Sequence, residues 1–456
     1  MTPAKSLGVL AVLVGTTVVP LDSAVNLDFP FIVTRFHLPV PLIQWVVISY
    51  TLTSASLLLA FGRISDLIGA RRVFRAGCAI SLFAFLLCGA APSFLLLLCG
   101  RVLQGIGAGL LLSCGPALLI SLFQDARRAF ALGLFTLAFG IGGALGPVAA
   151  GPLIADFSWS AVFWARAPIA GLALILSLAL PSATVHGAQR NVLQDFDLAG
   201  AALLFAATCL MVAALNQVAY PWRFAVMVTA TLLMFCGFIQ WERRAAFPIL
   251  EMRLFRRGGF LPITIASVAL NLASFAVLLL VPFALSRFQA GSAVNDGLVL
   301  ALSPGGAAFA GPMAGQLSTR IPSHRLAQSG AMLIAMGLAA IAWNATSLMW
   351  LGGAMLLQGM GLGVFQLAYL HQLTETMPRD RHGIAGSLGM LTRTLGIVTG
   401  ASLLTLIFQT IMHRAEAAGM DAGAAFHSGF SGAFLCATAI AAVAAAVVWI
   451  RPPARG

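Results

Sequence analysis

GRISDLIGARR, residues 62–72, places four charges between two long apolar runs: Arg63, Asp66, Arg71 and Arg72. Membrane helices normally shed charge, so a cluster of this kind at a helix–helix turn needs a structural reason. Gly62 and Gly69 permit a tight turn and close packing, and Asp66 can pair with an arginine or cap a neighbouring helix. Around this stretch the chain is strongly apolar: 60% of its 456 residues are hydrophobic and 9% charged. That balance lies outside the range of soluble domains.

Fourteen apolar runs are long enough to cross a hydrocarbon layer of about 30 Å. They lie near 8–32, 42–61, 73–92, 94–122, 129–154, 160–181, 197–217, 222–241, 259–287, 296–317, 326–344, 346–371, 384–411 and 428–450. The first is too long and too polar inside for a cleaved signal peptide. An even number of spans with both termini in the cytoplasm puts 19 of the 26 basic residues inside. Arg35, Arg166, Arg223, Arg287 and Arg414 then face outward, and Arg101 and Arg393 lie within spans. This asymmetry is the positive-inside pattern, so the net charge of +12 calls for a lipid bilayer as partner and not for nucleic acid. The seven cysteines sit in spans without paired spacing, which predicts neither disulfides nor a metal site. A multi-pass protein of the bacterial cytoplasmic membrane is expected.

The chain repeats itself. RVLQGIGAG (101–109) returns as MLLQGMGLG (355–363), offset by 254 residues, and GRISDLIGARR returns, weakened, as GQLSTRIPSHR (315–325), offset by 253. Two matches in one register argue for duplication. The implied plan is an all-α membrane protein with a six-helix bundle over 1–182 and a second over 259–456. Residues 183–258 would hold cytoplasmic linkers and two extra helices between the bundles.

These stretches resemble the major facilitator superfamily of transporters, whose loop signature between helices two and three GRISDLIGARR matches. The six-plus-two-plus-six plan is similar to its fourteen-helix drug:proton antiporter branch. LDSAVNLDFP (21–30) resembles that branch's acidic first-helix signature, with Asp22, Asn26 and Pro30 in place, and RVLQGIGAG its fourth-helix signature, with Arg101. GLFTLAFGIGGALGPVAAGP (133–152) is similar to the glycine-rich antiporter signature of helix five, ending in Gly146, Pro147 and Gly151. Phe247–Pro248 and the following LEMRLFRR resemble the loop before helix nine. Ser23 and Ala24 depart from the branch's hydroxyl spacing, and Asp28 is extra. The resemblance implies alternating access about a midplane site between the halves. Gly62, Arg63, Asp66, Gly69, Arg71, Arg72, Gly146, Pro147 and Gly151 would serve its conformational switch.

Only two of the fourteen acids, Asp22 and Asp28, lie within an apolar run away from a basic loop. A charge held there is costly, so such groups usually face a cavity and work. Desolvation favours the neutral form of a carboxyl, which suits a proton carrier; Asp22 is the expected one. Asn26 shares its helical face and can hold its carboxyl. Asp28, about 120° further around a continuous helix, is either a second proton or cation site at the outer mouth or a solvated rim acid. Arg101 either tunes proton release from Asp22 or snorkels to the outer interface. Arg393 closes a cytoplasmic gate or anchors a helix.

In the second half Thr319 stands at the register of Asp66, and span nine holds Asn271 but no acid. Proton coupling is therefore expected in the amino-terminal half. Substrate-facing candidates are Asn26, Gln44, Trp45, Tyr50, Gln358, Gln366, Tyr369, Arg393 and, near a helix end, His371. Trp159, Trp222, Trp241, Trp343 and Trp449 fit an interfacial belt. The expected function is proton-coupled export of small amphipathic, cationic compounds by a monomer without enzyme activity or cofactor. Transport of a specific metabolite, siderophore or lipid-like molecule is the alternative, with a membrane-embedded sensor or enzyme more remote: Lys5 is the chain's only lysine, and no span carries a nucleophile–base set.

Overall fold

A computed structural model describes residues 3–123, 128–180, 197–215, 217, 220–245, 260–288, 293–318, 320–344, 347–376 and 382–450. The expected linkers, SATVHGAQRNVLQDFD up to residue 196 and FPILEMRLFRR, lie outside these residues. So do Thr319 and the side chains of Arg63 and Asp66.

The structure is helical throughout these residues. In the amino-terminal half run α1 (Pro3–Val18), α2 (Phe29–Arg35), α3 (Gln44–Ile68), α4 (Ala70–Gly89), α5 (Phe94–Ser121), α6 (Arg128–Asp156), α7 (Ala161–Trp164) and α8 (Arg166–Leu176). α9 (Leu198–Leu215) and α10 (Pro221–Glu242) follow, then α11 (Phe260–Phe288), α12 (Ala293–Leu317), α13 (Ser323–Trp343), α14 (Leu348–Thr376), α15 (His382–Ala417) and α16 (Ala422–Ile450). Each expected apolar run carries helix. Twelve helices among the described residues are long and apolar enough to cross a membrane. α3 and the 18-residue α9 fall outside that set. Large apolar side chains face outward along the bundle, among them Phe83, Leu95, Phe309, Met349 and Val443. Such a surface suits contact with lipid.

The chain divides into two compact units, one of residues 1–205 with 244–249, the other of 206–243 with 250–456. In the first, α5 packs between α3 and α4, α8 lies on α1 and α4, and α6 lies on α1 and on a 3-10 turn that follows it. In the second, α14 packs between α12 and α13, α16 lies on α11 and α13, and α15 lies on α11. The pairings correspond one to one, as the repeat predicts. Register is kept to the atom: a Cβ on Gly105 would stand 2.6 Å from the Tyr50 carbonyl of α3, and one on Gly359 would collide with the Ser303 carbonyl of α12. Glycine is what lets each pair of backbones approach so closely.

The stretch at 62–72 is less a loop than a hinge of one residue. α3 runs to Ile68, Gly69 takes φ 95°, and α4 begins at Ala70. A left-handed φ suits glycine. No described atom lies within 4 Å of a Cβ on Gly62. Arg71 donates to the Leu178 carbonyl at 3.4 Å, and Arg75 to the Ser177 carbonyl at 3.1 Å. Both thereby occupy carbonyls at the end of the α8 segment, where cations suit the helix dipole.

Candidate functional site: a buried ionic cluster

The expected first span is not one continuous helix. α1 stops at Val18, and residues Pro20–Asn26 form a 3-10 turn with Pro20 in its first position. Proline lacks the N–H that would continue the α-helical ladder. Thr16 and Thr17 bond back to the Val12 and Leu13 carbonyls, which also favours bending. The Tyr50 hydroxyl donates to the Val19 carbonyl at 3.3 Å, close to the break. The turn rests on α6, whose glycines make room: a Cβ on Gly142 would stand 2.6 Å from the Thr17 carbonyl, and one on Gly146 would collide with Ser23 Oγ. Ser23 Oγ in turn donates to the Gly143 carbonyl at 2.8 Å. The glycine-rich signature thus seats the turn that carries Asp22.

Asp22 sits among four donors. Arg101 of α5 grips it with both ends of its guanidinium, Nη1 to Oδ1 at 2.5 Å and Nη2 to Oδ2 at 2.7 Å. Gln104, one turn on, donates Nε2 to Oδ1 at 2.8 Å and accepts from Arg101 Nη1 at 2.7 Å. Arg166, the first residue of α8, donates Nη1 to Oδ1 at 2.9 Å. Arg101 Nε donates to the Val46 carbonyl at 2.8 Å, and its guanidinium lies 4.5 Å from the Tyr50 ring centroid. Arg166 Nε donates to the Val162 carbonyl at 3.1 Å, with the Phe85 and Phe163 rings at 4.7 and 4.8 Å. Arg101 is fully buried and does not reach for an interface. Two guanidinium groups against one carboxylate leave the trio with an excess positive charge.

Arg166, expected on the outer side, is 3% exposed and bound to Asp22. The signal was present, because Arg166 lies six residues inside the 160–181 run just as Arg101 lies seven inside its own. Asn26 does not hold the Asp22 carboxyl, because the turn is 3-10 and not α; its Nδ2 donates to the Ser23 carbonyl at 3.0 Å. Gln104 takes that task. Asp28 stands at the start of α2 and is 0% exposed, so it is no solvated rim acid. Neither of its oxygens has a hydrogen-bond partner among the described residues.

In the corresponding region of the second unit, the hydrogen bonds among the described residues join amides and hydroxyls. Ser303 Oγ donates to Gln358 Oε1 at 2.7 Å. Gln366 Nε2 donates to Asn271 Oδ1 at 3.3 Å, Asn271 Nδ2 to the Ser267 carbonyl at 2.8 Å, and Ser267 and Thr392 share a hydroxyl contact at 3.0 Å. Tyr369, stacked on Phe365, lies among the hydroxyls of Thr264, Ser267 and Thr392. His371 pairs with Ser323 at 2.8 Å. Of the other candidates, Gln44 is buried at the start of α3, Trp45 is half-buried beside it, and Arg393 is half-buried on α15. Trp222, Trp343 and Trp449 are exposed, as belt residues would be.

Comparison with known proteins agrees with this architecture. The profile of the Major Facilitator Superfamily matches residues 11–401. The chain belongs to that superfamily; it is a membrane transporter and not an enzyme. It is 28% identical over 421 residues to the uncharacterized transporter YebQ of Escherichia coli, covering 89% of both chains. It is 26% identical to the riboflavin transporter RibZ of Clostridioides difficile, over 89% of this chain and 88% of that one. To the multidrug resistance protein Stp of Mycobacterium tuberculosis it is 27% identical, over 89% and 76%. Among solved folds, an inward-facing bacterial homologue of the lysosomal transporter Spinster superposes with a TM-score of 0.70 at 16% identity, over 99% of this chain and 97% of that one.

Proposed function

We propose that the chain is a proton-coupled secondary exporter of small amphipathic compounds, acting by exchange and alternating access in a bacterial cytoplasmic membrane with both termini inside. The observation that carries this reading is the buried Asp22–Arg101–Arg166 cluster. Ionic groups buried in a membrane protein are costly and mark ion or proton pathways. The similarity to a multidrug resistance protein supports export of small molecules. In this reading two bundles, 1–182 and 259–456, rock about a shared site, and two helices between them bring the spans to fourteen. The α3–α4 hinge with Gly62, Arg63, Asp66, Gly69, Arg71 and Arg72, and the α6 face with Gly146, Pro147 and Gly151, are the moving parts.

A proton entering from outside is taken up within the group Asp22, Asp28 and Arg101 and loosens the grip of Arg101 on Asp22, and substrate leaves. Substrate arriving from inside displaces the proton. A cationic substrate competes with two guanidinium groups for Asp22, whereas the excess positive charge favours a neutral or anionic one. The similarity to a riboflavin transporter gives that second reading, a specific planar metabolite, its own support. Asn26, Gln44, Trp45, Tyr50, Gln358, Gln366, Tyr369 and Arg393 are the proposed cavity residues.

The test is substrate-triggered proton release by the purified protein, with ethidium and riboflavin as parallel probes. Release with ethidium that vanishes in Asp22→Asn supports the cationic exporter. Release with riboflavin alone transfers the assignment to the metabolite reading. Silence with both, in protein that binds either probe, overturns proton coupling.

A further inference from the structure

Residues 62–75 carry four arginines, Arg63, Arg71, Arg72 and Arg75, against one acid, Asp66. Three of the arginines fall in the first two turns of α4, which begins at Ala70. That is the positive end of the helix dipole, where cations are disfavoured and an anion is stabilised. The cluster is nonetheless held in place. Arg71 and Arg75, one turn apart, donate to the Leu178 and Ser177 carbonyls at the end of the α8 segment, Arg75 through both Nε and Nη2. Arg72 is exposed, and its guanidinium has no hydrogen-bond or ion-pair partner among the described residues.

The same end of α8 carries an apolar stripe. Leu172, Ile175 and Leu178 recur every three residues along α8 and the 3-10 turn that closes it (Ser177–Ala179), and all three are exposed. They lie in a segment long and apolar enough to cross a membrane. The stripe ends at Leu178, whose own carbonyl holds Arg71. An outward apolar surface therefore leads directly into a group of cations. A phospholipid with an anionic headgroup has both parts in that order. We propose that the corner between α4 and α8 binds one anionic phospholipid, with an acyl chain along Leu172, Ile175 and Leu178 and the phosphate against Arg71, Arg72 and Arg75. Basic pockets between membrane helices take acidic headgroups in this way. Guanidinium groups suit the task because their paired donors match phosphate oxygens. At the matching register of the repeat stand His324, Arg325 and Gln328, so the second unit keeps one arginine of the three and lacks the site. Arg71 and Arg72 follow the Gly69 hinge directly, so a bound phosphate braces α4 against α8 beside the joint with α3.

The inference needs only the membrane-spanning fold, so it and the proton-coupled reading can fail separately. The purified full-length protein in neutral detergent is titrated with phosphatidylglycerol and, in parallel, phosphatidylcholine, and bound lipid is counted by native mass spectrometry. One phosphatidylglycerol should bind about tenfold or more tightly than phosphatidylcholine. Arg72→Gln, which breaks no contact within the protein, should weaken it about fivefold, the share of one cation near an anionic headgroup. Adding Arg75→Gln should weaken it about fivefold again, and Arg75→Lys, which keeps the charge, should restore most of that loss. Arg325→Gln should change nothing. Melting temperatures without lipid that match the wild type show that the variants are folded. Equal binding of the two lipids, or phosphatidylglycerol binding unmoved by the α4 variants, overturns the site. An equal loss in Arg325→Gln also overturns it, by making the effect one of general surface charge. Inorganic phosphate that displaces the lipid at comparable concentration would make this a free-anion site and overturn the lipid assignment.

Discussion

The two units share one packing scheme and place opposite chemistry in it. Gln104 and Gln358 stand at the same register, one turn of helix beyond Arg101 in the first unit and beyond Met355 in the second. In the first, glutamine serves a carboxylate gripped by two arginines. In the second, it accepts from a serine, within a region of amides and hydroxyls. Helix packing in lipid depends on small residues and close backbones, which both units keep. The polar chemistry is free to diverge because it hangs on side chains that the packing does not specify. Among the described residues, the buried ionic cluster belongs to the first unit, and the matching hydrogen bonds of the second are between amides and hydroxyls.

The sharpest way to break this comparison is Arg101→Ala. Removing one partner of a buried ion pair typically costs about 3–5 kcal/mol. We expect loss of proton-coupled transport and a large drop in thermal stability, measured by proteoliposome flux and by unfolding of the purified protein. A variant that transports normally would remove the cluster from the mechanism. The shared packing is tested by Gly359→Ala, whose new methyl meets the Ser303 carbonyl. Overpacking of this kind costs about 1–3 kcal/mol, and the same change at Gly105 should act in the same direction. If one is neutral and the other severe, the units do not share the contact.

Gln358→Ala probes the neutral side. It leaves Ser303 Oγ without its acceptor, at a cost of about 1–3 kcal/mol, and should alter substrate KM while leaving the pH dependence of transport unchanged. A shifted pH profile would mean that the second unit takes part in proton transfer. The smallest effect belongs to Trp343→Ala, at an exposed position 85% accessible. Stability in detergent should move within about 0.5 kcal/mol, whereas reconstitution into bilayers should be impaired if the residue anchors the interface.

Much of this was open to sequence reading because membrane proteins obey one severe rule: backbone polar groups in lipid must be satisfied within the segment, so apolar runs become helices. Run lengths therefore gave the helices, and the register of two glycine motifs gave the repeat. Asp22 and Arg101 stood out because charge inside an apolar run is expensive. Arg166 meets the same criterion, six residues inside its run, but its contact with Asp22 is visible only in the fold. Asn26 was misjudged because a helical wheel assumes 3.6 residues per turn, and Pro20 replaces that geometry with a 3-10 turn.

What the sequence determined by itself was the family, the helical architecture, the duplication and the presence of intramembrane charge. These follow from local composition and spacing, which each segment carries independently. Only the tertiary structure decided which charges meet. The contacts of Asp22 with Arg101 and Arg166 span 79 and 144 residues, and their existence depends on how a broken first helix sits against α5, α6 and α8. A chain can announce that a charge is buried, because the cost is local. Its partner is set by packing, which no local pattern encodes.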